Sequence, residues 1–216
     1  MGTRASIGFR HEKKDWLMYH HSDGGLPWLG MDIMAFCKSH NADELRIQVG
    51  KLIRITDDSP PTTAKQFKEI AAVQEWPAQR LTETLEQLKN KDEDKRPNWD
   101  YALGDVDGLD SIMTGMRYWP DYGDFIYDDH CEYAYIVNLD TEKLEIFTHH
   151  YDAPHHKSSS YPKHKPLGRY SGLQYEEGET EPTRGATLIL EVPLQVLNEL
   201  PTSALKSYAA RIDRTH

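Results

Sequence analysis

Apolar residues alternate with polar ones twice near the start of the chain. Ile7 and Phe9 share one side of Ala5–Arg10, and Trp16, Met18 and His20 recur at every second position of Asp15–His21. That period of two predicts a β-hairpin turning around His11-Glu12-Lys13-Lys14. Gly24, Gly25 and Pro27 then break the pattern, and helical spacing takes over. A helix is predicted from about Leu29 to Ser39 with Ile33, Met34 and Cys37 on its buried side. Asn41 followed by Glu44 makes a capping-box start for a helix bearing Leu45, Val49, Leu52 and Ile53. Thr63-Ala64-Lys65-Gln66 caps another with Phe67, Ile70 and Ala71. Pro77 opens a fourth that runs to about Lys91 with Leu81, Leu85 and Leu88 in a stripe.

The second half returns to alternation. Glu132–Leu139 and Lys143–Thr148 predict a hairpin across Asp140-Thr141-Glu142, with Tyr133, Tyr135 and Val137 on one face and Leu144 and Ile146 packed into the same sheet. Ala186–Val192 reads as a further strand and Leu194–Ile212 as largely helical. Asn98–Asp129 is expected to be short or irregular in structure. The stretch 151–185 has little hydrophobic period and reads as a long mobile loop insertion. The order β-β-α-α-α-α-β-β-β-α predicts an α+β fold, an antiparallel sheet with helices packed mainly on one side.

Composition narrows the function classes. A chain of 216 residues suits a single domain over 1–216 and can bury a core without disulfides. Two cysteines are too few for a disulfide framework, and a mean hydropathy of −0.72 argues for a soluble chain in a reducing cytoplasm. No membrane span or secretory leader is expected. A net charge of −10 argues against generic nucleic-acid binding. The charge is uneven: Asp92–Asp129 holds eleven acids and three bases, whereas Ala153–Gln174 has four bases, three histidines and no acid. These stretches are either two solvated loops or separate surfaces, or the basic one docks on the acidic one.

Three constellations could carry chemistry. The hairpin brings Thr3 and Arg4 near His20-His21-Ser22-Asp23-Gly24-Gly25, so a cation, hydroxyls, imidazoles and a carboxylate share one small surface. A histidine beside a carboxylate can serve as general base. Equally, Arg4 and Asp23 could pair for structure alone. An N-terminal nucleophile would need both Met1 and Gly2 removed to expose Thr3. The Gly2…Ser6 pattern matches N-myristoylation, although the segment reads as a strand. The second constellation is aromatic and acidic. Trp99, Tyr118, Trp119 and Tyr122 lie among aspartates, and with Trp28 and Tyr133 they are candidate contacts for a basic partner. The alternative is that most of these rings cover the helical layer. Third, His149, His150, His155 and His156 flank Asp152 as weak metal-ligand candidates without a structural-zinc spacing. No cofactor is expected: P-loop, dinucleotide and nucleophile-elbow motifs are all missing from the sequence.

The opening Met1-Gly2-Thr3-Arg4-Ala5-Ser6-Ile7-Gly8, with its His20-His21-Ser22-Asp23-Gly24 loop, resembles a family of small phage and bacterial proteins. Those chains begin Met-Gly-Thr-Arg-Ser-x-Ile-Gly and continue to a His-Trp-Asp-Gly loop. Ser22 stands where that tryptophan falls, and Glu132-Tyr133-Ala134-Tyr135-Ile136 is loosely similar as well. The resemblance implies a phage or mobile-element accessory protein in a bacterial cytoplasm and supplies no chemistry. The leading expectation is a binding protein that recognises a host protein or small ligand through the acidic aromatic surface and the mobile basic loop. The alternative is a small hydrolase or transferase at the Arg4/His20/His21/Asp23 surface with Thr3 or Ser22 as nucleophile, and the third is a virion or assembly component forming a homo-oligomer.

Overall fold

Glu12 and Lys13 adopt left-handed backbone, φ 51° and 62°, and so form the two-residue turn between strands β1 (Ala5–His11) and β2 (Lys14–His20). Such a turn matches the natural twist of a hairpin but costs non-glycine residues roughly 1–2 kcal/mol each. The cost is offset from far along the chain. The Asp140 carboxylate accepts the Glu12 and Lys13 amides, both at 2.8 Å. The computed structural model describes residues 2–106, 108–128, 130–149, 168–170, 173–174, 183–184, 186–199, 201, 203 and 207.

After the hairpin, a π-helical turn at Leu26–Gly30 with Pro27 in its first positions leads into α1 (Met31–Ser39), two residues later than the spacing predicts. The Asn41 side chain accepts the Glu44 amide at 2.9 Å and starts α2 (Ala42–Val49). Contrary to their helical spacing, Leu52 and Ile53 do not continue this helix, which ends at Val49. Ile53–Ile55 is strand β3, because the Ile53 amide finds the distant Arg117 carbonyl at 2.6 Å and long-range pairing overrides the local spacing. Thr63 and Gln66 form a reciprocal capping box on α3 (Ala64–Val73). Pro77 precedes α4 (Ala78–Gln87), whose Leu81 and Leu85 pack half-buried on the core. Next come α5 (Trp99–Leu103) and β4 (Tyr118–Pro120), which pairs parallel with β3.

β5 (Tyr133–Asn138) and β6 (Lys143–Thr148) form the second hairpin. β7 (Leu173–Gln174) pairs with β8 (Thr183–Arg184), and β9 (Thr187–Pro193) runs into α6 (Leu194–Glu199). Most of 151–185, and the end of the last predicted helix, lie outside the described residues.

The main sheet has the order β2-β1-β5-β6-β9. Its neighbours are antiparallel except β1 and β5, which run parallel from Ala5↔Tyr133 to Arg10↔Asn138. Parallel pairing needs a crossover, and the helical stretch between β2 and β5 lies in that connection. One sheet face carries Ile7, Phe9, Met18, Tyr135, Val137 and Ile146 into the main core with Ile33, Met34, Leu45 and Phe67. The fold is α+β as expected from the sequence. The other face carries Leu17, Ala134, Ile136 and Phe147 against Ile126, Tyr170 and Ala186.

Gly8 lies opposite Leu17 on β2, and a Cβ there would fall 1.8 Å from the Trp16 carbonyl oxygen. The described part of the basic stretch docks on this second face. The Arg169 guanidinium bridges Asp15 (3.1 and 3.3 Å) and Glu145, and stands 4.6 Å from the Tyr170 ring centroid. Its partners are strand carboxylates, not those of 92–129. Among the described residues no helix is long and apolar enough to cross a membrane.

Candidate functional site

A cleft of about 660 Å³ opens between the loop after β3, the segment from Leu88 through α5, and the end of β4. Its size falls within the roughly 300–1,000 Å³ of small-ligand sites. Two local devices shape it. Asn98 caps α5 by accepting the Tyr101 amide at 3.0 Å, which places Trp99 and Asp100 in the first turn. The Trp99 indole then donates to the Pro60 carbonyl at 2.7 Å and ties the loop to the helix. Met18, Ile55, Pro61, Leu103 and Pro120 supply much of the apolar wall.

Among the described residues the charged lining is four carboxylates, Asp57, Glu93, Asp100 and Asp121, and one cation, Arg96. Arg96 is committed to Glu93 at 3.0 Å and to the Asn90 carbonyl at 2.8 Å. Asp121 accepts the Leu17 amide at 3.1 Å and pairs with Arg54 at 3.3 Å. Burial nevertheless pushes its carboxyl above the ordinary range, against the pull of the Leu17 amide and Arg54. Asp57 and Asp100 have no cationic partner among the described residues. Tyr122, 41% exposed, lies close enough to feel both charges, and its hydroxyl donates to Asp100 at 3.2 Å. Burial raises the Tyr122 phenol, and the charges of Asp100 and Asp57 add to it. Thr62, only 5% exposed, also lines the cleft, and its Oγ1 has no hydrogen-bond partner among the described residues. A buried hydroxyl without a partner costs stability and marks a position a ligand can satisfy.

The aromatic candidates divide. Trp99 and Tyr122 line the cleft. Trp119 is fully buried, its ring 5.7 Å from that of Phe9, and it belongs to the core rather than to a contact surface. Tyr118 is buried with its hydroxyl donating to Glu69, and burial raises its phenol to about 12. Tyr133 is buried and stacks on Tyr135. Trp28, 62% exposed, stands apart on the turn before α1. Asp57 and Thr62 escaped the sequence reading because they precede the aromatic segment by some forty residues.

The N-terminal hairpin does bring its two segments together. The Gly24 amide donates to the Thr3 carbonyl at 2.9 Å and Ala5 lies opposite His20. Gly24 fits tightly, since a Cβ there would approach that of Ala5 to 2.8 Å. The Tyr135 hydroxyl donates to the Gly24 carbonyl at 2.9 Å. Side chains are arranged less purposefully. His21 is hydrogen-bonded through Nδ1 to the Tyr19 hydroxyl at 2.7 Å, Asp23 is exposed with φ 56°, and among the described residues no Arg4–Asp23 ion pair forms. No cluster of three or more metal-ligating side chains occurs among the described residues. His149 meets the Ile126 carbonyl through Nε2 at 2.7 Å, while His150, His155 and His156 lie outside the described residues. Comparison with protein-family models, curated proteins and solved structures finds no match.

Proposed function

We propose that this chain is a binding protein, an accessory of phage or mobile-element type in a bacterial cytoplasm, that receives a basic group of a host protein or small ligand in the cleft beside Tyr122. One observation carries the reading. Asp57 and Asp100 lie near a half-exposed phenol in a concave, partly apolar site, and neither is balanced by a cation among the described residues. Carboxylates gathered in a recess focus a field that attracts positive charge. A tyrosine offers a rigid contact at little entropic cost.

The test compares capture from host-cell lysate by the native protein and by the Asp57→Asn/Asp100→Asn double variant, with bound proteins and small molecules identified by mass spectrometry. Circular dichroism checks that both are folded. A basic partner or cationic small molecule retained by the first and lost by the second supports the reading. Equal retention by both overturns it. The alternative enzyme reading at Arg4, His20, His21 and Asp23 rests on the proximity of the two segments alone, and turnover abolished by His21→Ala in a folded protein would move the function there.

A further inference from the structure

We propose that the group this cleft takes is a guanidinium, of an arginine side chain or a small arginine-like molecule, rather than an ammonium. The inference rests on the reading of the cleft as a site for a basic group. Three features select the planar cation. First, the acceptors are several and of different kinds: the carboxylates of Asp57 and Asp100, and the unpartnered Thr62 Oγ1, 5% exposed. A guanidinium carries five N–H donors in a fixed plane and can serve more than one acceptor at once, whereas an ammonium is a compact point charge. Second, Tyr122 and Trp99 border the same space as Ile55, Pro61 and Pro120. A guanidinium is weakly hydrated and stacks on aromatic faces, so it enters such a partly apolar recess at less desolvation cost than an ammonium does.

Third, the chain builds the same combination one residue further along α5 and fills it itself. Arg80 lies 3.8 Å from the Trp76 ring centroid and 5.4 Å from that of Tyr101, with its guanidinium paired to Asp105. Tyr101 thus contributes to a cage already occupied by an arginine, while Trp99 and Asp100 line a cleft whose one lining arginine among the described residues, Arg96, is paired with Glu93 instead.

Calorimetric titration of the full chain with agmatine, N-acetyl-arginine amide, N-acetyl-lysine amide and an alkyl diol tests this. Both guanidinium compounds are expected to bind more tightly than the lysine derivative by about tenfold. Thr62→Val and Asp100→Asn should each weaken the guanidinium compounds by several-fold or more while barely changing the lysine derivative's already weak binding. Agmatine binding as well as the arginine amide points to a free small molecule, and preference for the amide points to a peptide. Equal affinity for lysine and arginine derivatives overturns the guanidinium assignment and leaves the basic-group reading standing. Binding of the diol alone, or of none of the four, overturns both.

Discussion

The Asp121 carboxylate accepts the Leu17 amide at 3.1 Å, and the next residue, Tyr122, donates its own amide to the Leu17 carbonyl at 2.8 Å. Leu17 sits on β2, the outer strand of the main sheet, so both of its outward-facing backbone groups are satisfied by a segment more than a hundred residues away. The sheet edge is closed at that point, and the same contact positions Tyr122 at the cleft. Asp121→Ala should destabilise the protein by about 1–3 kcal/mol, because a half-buried amide loses its acceptor. Asp121→Asn, which keeps an oxygen there, should cost less. Chemical denaturation of the two variants checks the order, and an equal cost for both would contradict it.

Asp121 and Asp140 should give stability opposite slopes with pH. Burial raises the Asp121 carboxyl, so the stability linked to it is present below its ordinary 3.8 and is lost as pH rises through the raised value. At Asp140 burial acts upward too, but the Lys13 and Glu12 amides and Arg10 outweigh it and hold the carboxyl low. Its contribution is present above 3.8 and is lost as pH falls through the lowered value. The deficit of Asp121→Asn relative to the wild type should therefore narrow as pH climbs from 3.8. That of Asp140→Asn should be full above 3.8 and vanish in stronger acid. Unfolding curves across acid pH measure both.

Trp119→Ala should cost about 3–5 kcal/mol, the range for deleting a fully buried large aromatic. Loss of partner capture by that variant would report unfolding rather than a missing contact. Tyr122→Ala, at an exposed ring, should leave thermal stability nearly unchanged and weaken cleft binding. Parallel melting and binding measurements separate the two.

Replacing Arg169 by alanine strands Glu145, whose side chain is 6% exposed and whose remaining partner is the Asn138 amide at 2.7 Å. Breaking one side of a buried ion pair typically costs about 3–5 kcal/mol, and this variant should approach that range. Arg169→Ala/Glu145→Gln should recover part of the loss. A double-mutant cycle by denaturation measures the coupling, and additive losses would show that the pair contributes nothing.

Cys37 and Cys131 are buried, and burial raises each thiol to about 12. Thiolate is the reactive form. A disulfide reagent at pH 8 should therefore modify neither in the folded protein and both after denaturation.

The sequence by itself determined what neighbours in the chain decide. The capping side chains of Asn41 and Thr63 act within three residues, and Pro77 acts on the turn that follows it. The alternation of Tyr133, Tyr135 and Val137 places all three on the core face whatever strand lies beside them. Tertiary structure decided everything that depends on a partner distant in the chain. Ile53 left its helical spacing for β4. Glu12 and Lys13 tolerate a left-handed turn because Asp140 holds their amides. Tyr118, Trp119 and Tyr122 are nearly adjacent and chemically alike, yet two are core and one lines the cleft, since β4 buries its residues while Tyr122 follows the strand's end. Asp57, Thr62 and Asp100 share a cleft only because β3 pairs with β4 and Trp99 reaches Pro60. Local hydrogen bonds and side-chain period are written in sequence spacing, whereas the burial of a given ring and the meeting of distant carboxylates exist only once the strands have paired.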